Sequence, residues 1–156
     1  PAGEPAPAAG SPAEQALVAR LTRAYRSGDV DALVALLTDD AHLAMPPFPV
    51  EYHGRAAVGG FFASLFGQRR YDVVATRANG QLAFGVYLRT PAGGIRHATG
   101  LDVLTLSGDR IREIIHFDAG VPPTFGLPRS LPAWSTRSSS ARTPAAGTAR
   151  PEAAPE

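Results

Sequence analysis

The chain has 156 residues, a formal net charge of +1 and no cysteine. That length suits one domain with a single core and some tail. The missing cysteine excludes a thiol nucleophile, disulfides, iron–sulfur ligation and thiolate zinc sites.

All 15 basic residues are arginine. Without lysine there is no side-chain Schiff base. The arginines are scattered rather than striped, so nucleic-acid binding by this chain alone is not expected. Hydrophobic content of 44% and charged content of 19% suit a globular protein. No run approaches the roughly 18 apolar residues of a membrane span. The first residues have neither a basic start nor an apolar core, so no secretory signal is read there. A cytoplasmic location without membrane contact is expected.

Residues 1–10 are rich in Pro, Ala and Gly and are expected to be a disordered tail. Ser11-Pro12-Ala13-Glu14 then carries a helix start: cap, first-turn proline and capping-box partner. Leu17, Val18, Leu21, Ala24 and Tyr25 follow at helical spacing, and Gly28 ends the helix. Asp29 caps a second helix bearing Val30, Leu33, Val34 and Leu37, with Asp39-Asp40 as its stop. Ala41 to Met45 reads as a short strand. Pro46, Pro47 and Pro49 bend it into a rigid loop, and Val50 to His53 returns as a strand.

Gly54-Arg55 opens a third helix, with Val58, Phe61, Phe62, Leu65 and Phe66 on one face. Gly59 and Gly60 each cost it about 1 kcal/mol relative to Ala, which predicts close packing on a neighbour. Tyr71 to Ala78 and Gln81 to Thr90 form a hairpin about Asn79-Gly80. Leu82, Phe84, Val86 and Leu88 take one face; Ala83, Gly85, Tyr87 and Arg89 take the other. Ile95 to Asp118 forms the last hairpin, turning at Ser107-Gly108-Asp109. Residues 133–156 are low-complexity and expected to be disordered, which leaves 11–132 as the domain. The fold class is α+β: a curved antiparallel sheet wrapped around three N-terminal helices, forming a cone with an apolar pocket.

This order of elements resembles the SnoaL-like branch of the NTF2-like superfamily. Met45 to Arg55 (MPPFPVEYHGR), Ala78 to Tyr87, Leu104 to Ile114 and Phe125 to Pro132 (FGLPRSLP) are most similar to the SnoaL-like domain at the C-terminus of extracytoplasmic-function sigma factors. The layout is also similar to free-standing cyclases of natural-product pathways. The resemblance implies a homodimer and an acid/base residue on the last strand, with a partner on the strand before it. In those cyclases the two are an Asp and a His respectively; here the types are exchanged, as His116 and Asp102.

The final hairpin carries polar residues, His97, Asp102 and His116, where a half-buried strand is normally apolar. Ring closure needs one group to take a proton and another to protonate the leaving oxygen. An imidazole with an ordinary pKa near 6.5 suits either role, and a carboxylate can orient it. A three-residue turn puts Asp102 on the face of His116. A two-residue turn separates them; the competing reading is that both are outward, solvated positions.

Tyr52 and Tyr87 are candidates to polarise a reacting oxygen, or are packing residues with satisfied hydroxyls. Tyr25, Met45, Phe48, His53, Phe62, Phe84, His97, Phe117 and Trp134 are candidate pocket walls or lid, with core packing the competing role. Glu113, next to Arg112, reads as a cross-strand charge partner or a solvent-exposed position. His42, His53, His97 and His116 show no close-paired metal spacing, so no metal is expected, and no cofactor. The function expected is a cofactor-independent cyclase or isomerase acting on a small apolar, aromatic or polyketide-like molecule. Its reaction would be acid/base ring closure by intramolecular epoxide opening. A non-catalytic ligand- or protein-binding regulatory domain, related to the sigma-factor domain, is the alternative; epoxide hydrolysis is the third.

Overall fold

Helix α1 (Pro12–Ser27) starts and stops at its predicted signals. The computed structural model describes residues 3–67, 69–90, 93–119, 123 and 126–132. Ser11 accepts from the Glu14 N–H at 3.2 Å, and Gly28 closes the helix at φ 69, a left-handed conformation that favours glycine. The Glu14 carboxylate takes the Gly10 N–H and pairs with Arg77 on the sheet, rather than returning to the N–H of Ser11. Leu17, Leu21, Ala24 and Tyr25 form the buried face.

Helix α2 is only Val30–Val34, capped by Asp29 on the Ala32 N–H at 3.0 Å. Leu37 does not continue it. Leu36 accepts from the Ile111 N–H at 2.7 Å, and Leu37 pairs with Ile111, so the sheet claims this backbone. Strand β1 is therefore Leu37–Ala44, and Asp39-Asp40 lies inside it rather than stopping a helix. Strand β2 is Glu51–His53. Helix α3 (Arg55–Phe66) buries Val58, Phe62 and Phe66. A methyl on Gly59 would lie 2.9 Å from Val34, so Gly59 permits the approach of α2. Gly60 has open space, and no close packing explains it.

Strands β3 (Arg70–Ala78) and β4 (Gln81–Arg89) turn on Asn79 and Gly80, at φ 51 and 81. Both central residues at positive φ match the twist of a two-residue hairpin. Strands β5 (Arg96–Ser107) and β6 (Arg110–Phe117) complete the run, and β7 (Ser130–Leu131) pairs with β5. The sheet order is β2-β1-β6-β5-β4-β3, with β1 parallel to β6 and the other neighbours antiparallel.

The concave face packs on the helices through Leu82, Phe84, Val86, Leu104, Ile114 and Leu43. The outer face has a smaller cluster of Ala78, Ala83, Leu101 and Leu127. Alternation along β4 therefore follows the predicted faces. The C-terminal stretch packs back on the sheet. Ala98 N–H donates to Arg129 O at 2.8 Å, and Arg96 donates to Pro132 O at 2.8 Å. At the other end, Gly3, Glu4 and Pro5, within the stretch expected to be a tail, lie against the β5–β6 turn. The Glu4 N–H donates to Ser107 Oγ at 2.9 Å, and the Gly108 N–H donates to Glu4 and Pro5 carbonyls. Residues 133–156 lie outside the described residues.

Candidate functional site

Two bulges aim the site. The last hairpin turns on two residues, Ser107 opposite Arg110, with Gly108 at φ 59. A plain two-residue turn would separate Asp102 from His116. The register instead shifts between Thr105–Glu113 and Leu106–Ile111, which leaves Arg112 as an extra residue on β6. One extra residue moves the rest of a strand to the other face. Asp102 thus stands directly opposite His116. A second shift, between Val86–Gly100 and Tyr87–Ala98, makes Thr99 the extra residue on β5.

His116 Nδ1 and Asp102 Oδ1 are 2.6 Å apart, and the Tyr25 hydroxyl donates to Asp102 Oδ2 at 2.9 Å. Asp102 is buried, 5% exposed. A carboxylate taken from water needs such partners, and each charge-assisted bond contributes about 1.5–3 kcal/mol. Burial, then the neighbouring Asp102, pushes the Tyr25 phenol well above its ordinary value, so it stays a donor. Burial alone lowers the His116 pKa; the Asp102 hydrogen bond, the Asp102 charge and Asp118 outweigh it and raise the imidazole above its ordinary value. With Nδ1 held by Asp102, Nε2 is the nitrogen left for a ligand.

The three residues line a cavity of about 310 Å³. Its apolar wall is Leu43, Met45, Phe61, Phe62, Leu65 and Val86; Tyr71, Thr99 and Arg69 add polar groups. Tyr25 is held edge-on by Phe62 and Phe66, at centroid distances of 5.9 and 5.3 Å. The volume is at the small end for ligand sites, which run from about 300 to 1,000 Å³.

Of the residues expected in a pocket, His116, Asp102, Tyr25, Met45 and Phe62 meet here. Tyr52 is half-buried and packs on Phe61 at 5.1 Å, outside the lining. Tyr87 is on the other face of β4, and its hydroxyl donates to Pro128 O at 2.6 Å. It anchors the C-terminal stretch, so the catalytic expectation for it is corrected. Phe84 is core and does not reach the cavity lining. Phe117 packs on the outer cluster. Phe48 (65% exposed) and His97 lie at the surface. Trp134 lies outside the described residues.

Gly100, Thr99 and Tyr71 escaped the sequence reading. A methyl on Gly100 would stand 2.6 Å from His116 Nε2 and nearer still to Cε1 and to the Phe117 carbonyl. A glycine inside a strand marks a bulge or a close approach, and that signal was available in the sequence.

The histidines also need a correction. His42 pairs with His53 across β1 and β2, their rings stacked at 4.5 Å. Glu51 Oε1 lies 3.2 Å from His42 Nε2 and 3.1 Å from His53 Nε2. Spacing along the chain hid this, because strand pairing brings the two together. Glu113, the expected cross-strand charge partner, meets His42 Nδ1 at 3.1 Å.

Residues 18–114 match the model of the SnoaL-like domain. Over 125 residues, 78% of this chain, the sequence is 34% identical to the ECF RNA polymerase sigma factor SigG of Mycobacterium tuberculosis. The chain spans 33% of that relative's length. An NTF2-like protein of unknown function from Mesorhizobium loti superposes with a TM-score of 0.58 at 17% identity, over 73% of this chain and 98% of that one. A hypothetical protein with a ketosteroid isomerase-like fold from Catenulispora acidiphila, in complex with trimethylamine, gives 0.51 at 18% identity, over 72% and 94%. Family and fold agree with the curved sheet and its helices: the chain belongs to the SnoaL-like domain family and has the NTF2-like fold.

Proposed function

We propose that this domain binds one small, largely apolar molecule in the cone and moves a proton on it through His116. The observation that carries the reading is the Tyr25–Asp102–His116 chain, buried at Tyr25 and Asp102 and ending at a half-buried imidazole in an apolar cavity. A carboxylate on Nδ1 fixes the tautomer and stabilises the imidazolium, which leaves Nε2 to exchange protons. Asp102 and Tyr25 position the ring; His116 is the group that meets the ligand.

The reaction proposed is intramolecular epoxide opening to a cyclic ether. The imidazolium Nε2–H protonates the epoxide oxygen as its C–O bond breaks, and a hydroxyl of the same molecule attacks the carbon. The neutral imidazole then takes the proton lost by that hydroxyl. Atoms balance, the imidazolium is regenerated and no cofactor enters. The test is turnover of hydroxy-epoxides that can close to furan or pyran rings. Wild type should cyclise at least one, and His116→Ala should lose about 10²–10⁴-fold in kcat while still binding it. Equal turnover in the variant would remove His116 from the chemistry.

A second reading is favoured by the 34% identity to a sigma factor: a ligand-binding regulatory domain without turnover. Under it the cavity binds small molecules, the wild type converts none of them, and His116→Ala changes only affinity.

A further inference from the structure

On the outer face of the sheet, away from the cavity, three side chains converge: His42 on β1, and Glu51 and His53 on β2. We infer that they form a binding site for a divalent transition ion of the zinc class. The site is empty.

The arrangement follows from strand geometry. Glu51 and His53 are two apart on β2 and share a face, and His42 is the direct cross-strand partner of His53. One ligand atom from each of His42, Glu51 and His53 lies within 4.8 Å of the others. The two Glu51 separations, 3.2 and 3.1 Å, are close to the ~3.3 Å between ligands of a tetrahedral zinc with bonds near 2.0–2.1 Å. The His53 side chain is 71% exposed, which leaves its ring room to adjust around an ion.

The surrounding shell fits the same ion. Ligating imidazoles usually give their other N–H to a carboxylate, which sets the tautomer and raises the basicity of the ligating nitrogen. Glu113 stands at His42 Nδ1, 3.1 Å away, and Thr105 donates to Glu113 from its other side at 3.3 Å. With Nδ1 given to Glu113, Nε2 is the nitrogen that ligates once a metal displaces the proton it shares with Glu51. Two imidazoles and one carboxylate suit zinc and its neighbours rather than magnesium or calcium, which take oxygen donors. A fourth position stays open to water. Bound metal would tie β2, a three-residue edge strand, to β1.

The test uses the full chain purified without a polyhistidine tag. Zinc chloride is titrated calorimetrically, and cobalt(II) reports geometry through its visible absorption. One zinc per chain is expected, with a tetrahedral cobalt spectrum and a rise in Tm. His53→Ala should weaken binding at least about 100-fold, and Glu113→Gln about 10- to 100-fold. His97→Ala should bind as wild type, and magnesium should give no saturable signal. No saturable uptake would overturn the site, as would uptake that survives His53→Ala or is lost in His97→Ala. Because the cluster and the cavity are on opposite faces, neither result bears on the acid/base proposal.

Discussion

His116 lies over Gly100, and the space it occupies is the space a side chain at Gly100 would need. Gly100→Ala is expected to push the imidazole off Asp102 and to strain the β5–β6 pairing at Phe117. Overpacking of this kind costs about 1–3 kcal/mol. Urea unfolding should register that loss. The His116 pKa should also drop, because the ring leaves the carboxylate that raises it; an unchanged pKa would mean that the dyad does not depend on the bare glycine.

Asp102→Asn removes the main group that holds the His116 pKa up and leaves burial, which lowers it, against the smaller pull of Asp118. A raised folded pKa gives stability that is full below the ordinary value of about 6.5 and is lost as pH rises through the folded pKa. In the variant this loss should shrink, and the alkaline limb of any turnover should move to lower pH. Unfolding measured across neutral pH, beside a histidine NMR titration, checks both.

Tyr25→Phe leaves Asp102 Oδ2 buried without its donor. About 1–3 kcal/mol of stability should be lost, the cost of an unsatisfied buried acceptor. Denaturant unfolding reads it, and a loss below a few tenths would mean that water replaces the hydroxyl.

Much of the fold was legible in the sequence because its signals are local. Ser11-Pro12 and Gly28 bracket α1, Asn79-Gly80 sets one hairpin, and alternation along β4 sorts core from outer face. The site was harder to read. Turn length alone offered two registers for Asp102 and His116, and the extra residue Arg112 belonged to neither. Bulges depend on what the strand packs against, and short motifs do not carry that information. Pairing between β1 and β2 was equally invisible, so His42 and His53 read as unrelated. Tyr87 fell on its predicted face, but which face lined the cavity depended on where the C-terminal stretch packed.

Asp72 is buried among Arg26, Arg89 and Arg96, at 3.2, 2.8 and 2.6 Å. Burial raises its pKa, but the bonds from Arg89 and Arg96 outweigh it and hold the carboxyl below its ordinary value. That stability is present above about 3.9 and is lost as pH falls through the lowered folded pKa. Asp72→Asn should cost about 1.5–3 kcal/mol at neutral pH, because the charge-assisted bonds from Arg89 and Arg96 lose their carboxylate acceptor. The deficit should shrink in acid; a deficit independent of pH would contradict the assignment.

The most direct test of the acid/base claim is the ¹⁵N spectrum of the His116 imidazole while a small aryl epoxide is titrated into the protein. Nδ1 is expected to stay protonated against Asp102, with a pKa above that of a free imidazole, while the Nε2 signal shifts in a saturable way. Saturable binding that leaves Nε2 unmoved, or an imidazole that titrates as if free in water, would contradict it.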